Sequence, residues 1–209
     1  MAGDAELLQA WRSGDRAAGS ELFEKYIDLV SRFLQNKVGA EREDLIQRTF
    51  LACVESRDRI REGSTFAAYL LRVARSKLID HYRAKAGTQF DALATSVADF
   101  GESPSAVVSR AERDRLLLLA LRAIPFDLQI ALELYYWEGM GTPALAEVLE
   151  LPPGTVRSRL HRARELLLEE LRTLLAATPG AEGHDPADLG DLDAWARSVR
   201  AAAPDDAGV

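Results

Sequence analysis

Residues 154–164, GTVRSRLHRAR, constrain this chain more than any other stretch. Stepped at about 100° per residue, Val156, Leu160, Ala163, Leu167 and Leu171 fall on one narrow apolar stripe. Ser158, His161 and Arg162 point the opposite way, with Arg157 beside them. Ahead of this helix, residues 142–150 read as a short helix and Leu151-Pro152-Pro153 as a tight turn, with proline where a first turn tolerates it. Two short helices, a tight turn and a basic exposed face make a helix-turn-helix. An amphipathic hairpin with solvated arginines is the alternative. The stretch holds four arginines and no acid, and glutamates resume only at Glu165, where such a helix would be leaving a DNA groove.

The rest of the chain reads as helical too. Runs of alternating β-branched residues are missing, so the expected class is all-α. Helices are predicted over residues 4–12, 17–38, 43–57 and 65–85, then 113–123, 128–137 and 142–150 before the basic helix. Asp127, after Pro125, is expected to cap the helix from Leu128. Residues 86–110 hold breakers and no sustained period, and read as a flexible linker between helical domains at 1–85 and 111–173. Residues 174–209 form an acidic extension. Within it Leu189, Leu192, Trp195 and Val199 recur at helical spacing, which fits either a short docking helix or a solvated tail.

The net charge of −7 looks unsuited to a nucleic-acid binder, but it is unevenly spread. Residues 174–209 carry seven acids against Arg197 and Arg200, while residues 61–85 carry six basic side chains against Glu62 and Asp80. Local field, not net charge, decides attraction to phosphates. The single Cys53 rules out an internal disulfide and a multi-cysteine metal site, and its apolar surroundings predict a buried thiol. The three histidines are scattered, with no metal spacing, nucleophile motif or phosphate loop, so neither enzyme activity nor a cofactor or metal is expected. No apolar run approaches a membrane span and no signal-peptide layout opens the chain, which predicts a cytoplasmic protein.

On the fourth helix Phe66, Leu70, Val73, Ala74 and Leu78 share an apolar arc, and Arg72, Arg75, Ser76 and Arg83 a roughly opposite one. Tyr69, His81 and Tyr82 stand near the borders. Cations that track phosphates beside rings that stack on unpaired bases are what a single-strand platform needs. Taken singly, Tyr69 and Tyr82 fit a core edge and Arg75 a surface ion pair; the combination points to the platform.

These segments resemble the extracytoplasmic-function (ECF) sigma factors. ELFEKYIDLV, EDLIQRTFLA and STFAAYLLRVARSKLIDHYRAK look like the family's region 2; residues 123–166, from AIPFDLQ to HRAREL, look like region 4. The resemblance implies a subunit that binds core RNA polymerase, recognises −35 and −10 promoter elements, opens the −10 region and directs initiation. DLIQRTF is similar to the segment that docks on the β′ clamp helices, which implies roles there for Asp44, Leu45, Gln47, Arg48 and Phe50. Region 2 implies −10 single-strand contacts by Arg61, Tyr69, Arg72, Arg75, Ser76 and Arg83. Region 4 implies −35 contacts by Thr155, Arg157, Ser158, Arg159, His161 and Arg162, and a grip on the β flap. An anti-sigma factor is a further partner that the family admits, and the free protein is expected to be a monomer. Ser76 stands where the family usually has Asn, Tyr69 where Trp is common, and Glu150 where the turn usually has Gly. Pro143 and Ala144 replace acidic residues typical of the first helix of the pair.

The rival is a one-component helix-turn-helix regulator that acts without joining a polymerase. DLIQRTF and the basic fourth helix count against it. For the acidic extension two duties are open, inhibition by folding back on a basic surface or assistance to polymerase binding.

Overall fold

The computed structural model describes residues 2–60, 65–86, 90–100 and 112–178. Eight α-helices and no strand appear among them: α1 Asp4–Arg12, α2 Arg16–Gln35, α3 Arg42–Glu55, α4 Phe66–Ala86, α5 Glu112–Ala123, α6 Phe126–Tyr136, α7 Thr142–Leu149 and α8 Pro153–Ala177. The first four form one block and the last four another, with α4 packed on α7 across the boundary.

In the first block α2 is started by Asp15, whose carboxylate accepts from the Ala17 and Ala18 amides at 2.9 and 3.3 Å. These are donors that a helix start otherwise leaves unpaired. The indole of Trp11 of α1 presses on Gly19 of α2; a Cβ there would sit 2.6 Å from the indole, so only glycine admits this contact. Phe23 and Phe66 meet Trp11 edge-on at 5.3 and 6.5 Å. The Arg12 guanidinium then ties α1 to the carbonyls of Arg57 and Ile60 beyond α3.

The second block is built on α8. Val156, Leu160, Ala163, Leu167 and Leu171 are all buried, as their spacing predicts. Each leucine contributes roughly 2 kcal/mol by leaving water. α5, α6 and α7 all pack on α8. The turn between α7 and α8 passes through Glu150 at φ 56°, ψ 45°, the left-handed conformation in which a Cβ is crowded. Here the Leu151 amide returns to the Ala146 carbonyl at 3.0 Å, closing α7.

Two sequence expectations change. α2 ends at Gln35, not Val38, because Asn36 and Lys37 turn inward and are buried. α6 begins at Phe126 with Pro125 in the cap position, so Asp127 is not the cap. The Phe126 and Asp127 amides instead donate to the Thr95 and Ala92 carbonyls at 3.0 and 2.9 Å. With its local duty met by backbone, the Asp127 side chain is available for another partner.

Residues 90–100, inside the expected linker, are packed. Phe90 stacks on Tyr82 at 5.8 Å and meets Phe126 edge-on at 5.7 Å; Phe100 lies 4.5 Å from Tyr82. Val97 is fully buried. Apolar residues spaced irregularly show no helical or strand period, yet they fill the seam between the two blocks.

Glu150 yields a stability prediction. It is exposed, so Glu150→Gly removes strain and no buried contact. Thermal unfolding should show a gain of about 0.5–1 kcal/mol, relief of the left-handed strain less the entropy glycine gives the unfolded chain. A lowered midpoint would contradict the strained turn.

Candidate nucleic-acid and polymerase interfaces

The stripe that buries α8 dictates what it exposes. Arg157, Ser158, His161 and Arg162 face solvent, and Thr155 is half-buried. The Ser158 hydroxyl donates to the Thr155 carbonyl at 2.9 Å. His161 and Arg162 both reach toward Glu165, at 3.6 and 3.4 Å, so one carboxylate closes the basic patch one turn along. These pairs are exposed and yield readily to a phosphate. The four arginines of the stretch divide into two pairs. Arg157 and Arg162 are exposed. Arg164 donates from Nε to the Tyr136 hydroxyl at 2.7 Å and lies over the Tyr135 and Tyr136 rings, clamping α8 to α6. Arg159, expected among the −35 contacts, instead bonds the Asp127 carboxylate at 3.2 Å.

On α4 the expected platform is partly folded away. Ser76 and Arg83 are exposed. Tyr69 is 4% exposed, its hydroxyl against Ser56, with the Arg72 guanidinium 5.2 Å over its ring. In this conformation the ring belongs to the core, which is the core-edge fit that Tyr69 has when taken singly. Tyr82 is buried completely, its hydroxyl donating to the Lys37 carbonyl. Arg75 makes three bonds to one carboxylate: Nε and Nη2 reach Asp127 Oδ1 at 3.0 and 2.7 Å, and Nη2 reaches Oδ2 at 2.9 Å. Arg61 of the single-strand set and Leu189, Leu192, Trp195 and Val199 of the extension lie outside the described residues.

On α3, Leu45 is buried and Phe50 half-buried against Phe23 at 4.7 Å, so both support the helix from beneath. Asp44 and Arg48 are exposed and pair at 2.9 Å across one turn, with Gln47 exposed beside them. Leu51, 60% exposed, and Val54, 40% exposed, complete this face; motif reading passed over both. The signal was present: positions 44, 47, 48, 51 and 54 share one side of a helix. Ile27 of α2 is a further exposed apolar side chain, at 46%. Scattered single apolar residues are ordinary on a surface, whereas Leu51 and Val54 stand in line with the polar motif. Cys53, on the opposite side, is fully buried, and burial pushes its thiol up to about 12.

Across the seam, Lys37 is wholly buried and paired with the nearly buried Glu133, and burial pulls the lysine below its ordinary value. Glu133 also accepts from Asn36 at 3.2 Å and Gln129 at 2.8 Å. Arg32 grips Glu138 bidentately at 3.1 and 2.9 Å, and Arg122 donates to the Asn36 carbonyl at 2.7 Å.

Known proteins agree with this architecture. The sigma-70 region 2 family matches residues 22–88 and the sigma-70 region 4 family residues 114–167. The RNA polymerase sigma-H factor of Pseudomonas aeruginosa is 30% identical over 186 residues, covering 82% of this chain and 95% of that protein. The ECF RNA polymerase sigma-E factor of Haemophilus influenzae is 26% identical over 183 residues, 82% of this chain and 97% of its own length. Among solved structures, the sigma factor RpoE bound to the anti-sigma factor NepR, from Bartonella quintana, has a TM-score of 0.56 at 22% identity, covering 73% of this chain and 96% of that one. CnrH in complex with the cytosolic domain of CnrY gives 0.53 at 23% identity, covering 83% and 97%. At these identities the structures speak for the fold. With region 2 and region 4 in order, and a relative matched over nearly its whole length, the chain belongs to the extracytoplasmic-function sigma factors of bacterial RNA polymerase.

Proposed function

We propose that this sigma factor meets its polymerase through α3 and its promoter through two separate basic faces. The observation that carries the reading is α8, whose buried stripe leaves Arg157, Ser158, His161 and Arg162 together on its outer side, behind a helix-turn-helix. That face fits the major groove of a −35 element, with side chains near the helix start reading base edges. Arg72, Ser76 and Arg83, with Arg61 and with Arg75 once released, would hold the unpaired −10 strand. Pulling a base from the stack costs a few kcal/mol, so strand capture must accompany opening. Asp44, Gln47, Arg48, Leu51 and Val54 would contact the β′ clamp helices, supported by Leu45 and Phe50. Region 4 would also engage the β flap. The free protein would be a cytoplasmic monomer, non-catalytic in itself, and open to capture by an anti-sigma factor.

Purified protein added to bacterial core polymerase with fork-junction promoter DNA should give polymerase-dependent open complexes. Tight duplex binding by the free protein, without any polymerase-dependent opening, would favour the one-component regulator instead. Arg162→Ala should weaken holoenzyme binding to −35 duplex by about tenfold at fixed salt, the usual effect of losing one base or phosphate contact. A filter-binding titration measures it, and an unchanged constant would remove Arg162 from the interface.

Leu51→Glu should cut affinity for core polymerase severalfold without unfolding the protein, because the side chain is already exposed. Co-elution of sigma with core polymerase measures this, and undiminished binding would move the dock elsewhere. α8 runs to Ala177, into the expected extension, so the test removes residues 179–209 and leaves the helix whole: transcription from a cognate promoter should rise if the acidic extension inhibits and fall if it assists. Unchanged activity would remove both duties.

A further inference from the structure

We infer that the free protein latches itself shut through an ionic seam, in which the C-terminal half holds the promoter-strand cation Arg75 on Asp127. The inference rests on the assignment of Arg75 to the −10 strand, and goes beyond it by giving the closed arrangement a regulatory effect.

Among the described residues, three ion pairs that cross the seam have the same sense: a base from the first block meets an acid from α6 or the residues just after it. Arg75 of α4 meets Asp127, Lys37 beyond α2 meets Glu133, and Arg32 of α2 meets Glu138. Their side chains are 12%, 0% and 35% exposed on the basic side and 6%, 2% and 10% on the acidic side. Asp127 is the pivotal acid. It binds Arg159 of α8 from its own block and Arg75 from the other, so one carboxylate ties the two predicted DNA sets together. Three of the Arg75 contacts, from Nε and Nη2, are spent on that carboxylate, and a DNA phosphate cannot take the same donors at the same time.

Such a seam suits opening. A buried ion pair roughly breaks even against the water its charges lose, so it fixes alignment without binding the halves irreversibly. Apolar packing of Tyr82, Phe90, Phe100 and Phe126 adds attraction at the same seam. A closed protein binds DNA with its intrinsic affinity reduced by the fraction of molecules that are open. Polymerase and promoter would therefore have to separate the blocks, and their phosphates would replace Asp127 as the partner of Arg75.

The test uses the full chain and Glu138, which lies outside every proposed contact with DNA or polymerase. Glu138→Arg sets two cations against each other at the seam. The free protein should expand by small-angle X-ray scattering and bind a labelled single-stranded −10 non-template oligonucleotide about tenfold more tightly, as a shift in the open fraction requires. Glu138→Gln should move both readouts the same way by less. The charge swap Arg32→Glu with Glu138→Arg should restore compaction and weak binding. If Glu138→Arg stays compact with unchanged oligonucleotide affinity while its helicity is normal, the latch is overturned. Arg75→Ala in the holoenzyme separates the two readings: intact open-complex formation would remove Arg75 from the strand contacts, whereas impaired opening with a compact Glu138→Arg protein would overturn the latch alone.

Discussion

Carboxylates taken out of water set the terms for how the two helical blocks of this protein meet. Asp127, Glu133 and Glu138 lie on α6 or just beyond it, and none is more than a tenth exposed. Left alone, each would carry a desolvation cost of several kcal/mol. Bases from α2, from the turn after it and from α4 come to meet them. The shape of α2 follows from this demand: it stops at Gln35 so that Asn36 and Lys37 can turn inward to Glu133.

Sequence periodicity revealed α8 well because its stripe is a local property of one helix. All five predicted stripe residues are buried and Arg157, Ser158, His161 and Arg162 are exposed, as their angles require. The same angles could have graded the arginines. Arg159 and Arg164 lie roughly 60° and 80° from Val156, near the stripe border, and both turn to α6, while Arg162 lies about 120° away. Counting four arginines as one patch overstated the free charge.

Asp127 was harder to read. An acid after proline at the head of a helix is ordinary capping chemistry, and capping depends only on neighbours in sequence. Here amides at the helix start are satisfied by the Ala92 and Thr95 carbonyls, and a side chain 52 residues away claims the carboxylate. Tyr69 and Tyr82 hid their fate for a similar reason. A ring at the edge of an apolar arc faces inward or outward according to what packs beyond it, and that packing came from Ser56 for one and from Phe90, Phe100 and Phe126 for the other. On α3 the motif drew attention to DLIQRTF, and the exposed face simply continues past it to Leu51 and Val54.

Because α8 runs unbroken from Pro153 to Ala177, it is a spar whose two ends lie far apart. Thr178 follows Arg162 by sixteen positions, so the chain leaves the helix about 24 Å from that arginine. A segment returning to the basic face must retrace this span, which takes roughly seven extended residues. Between Thr178 and Asp185, where the densest acidic run of the sequence starts, lie the seven steps that such a return would need. The rod's length thus sets a minimum tether: an extension shortened by a few residues would keep its charge yet lose its reach.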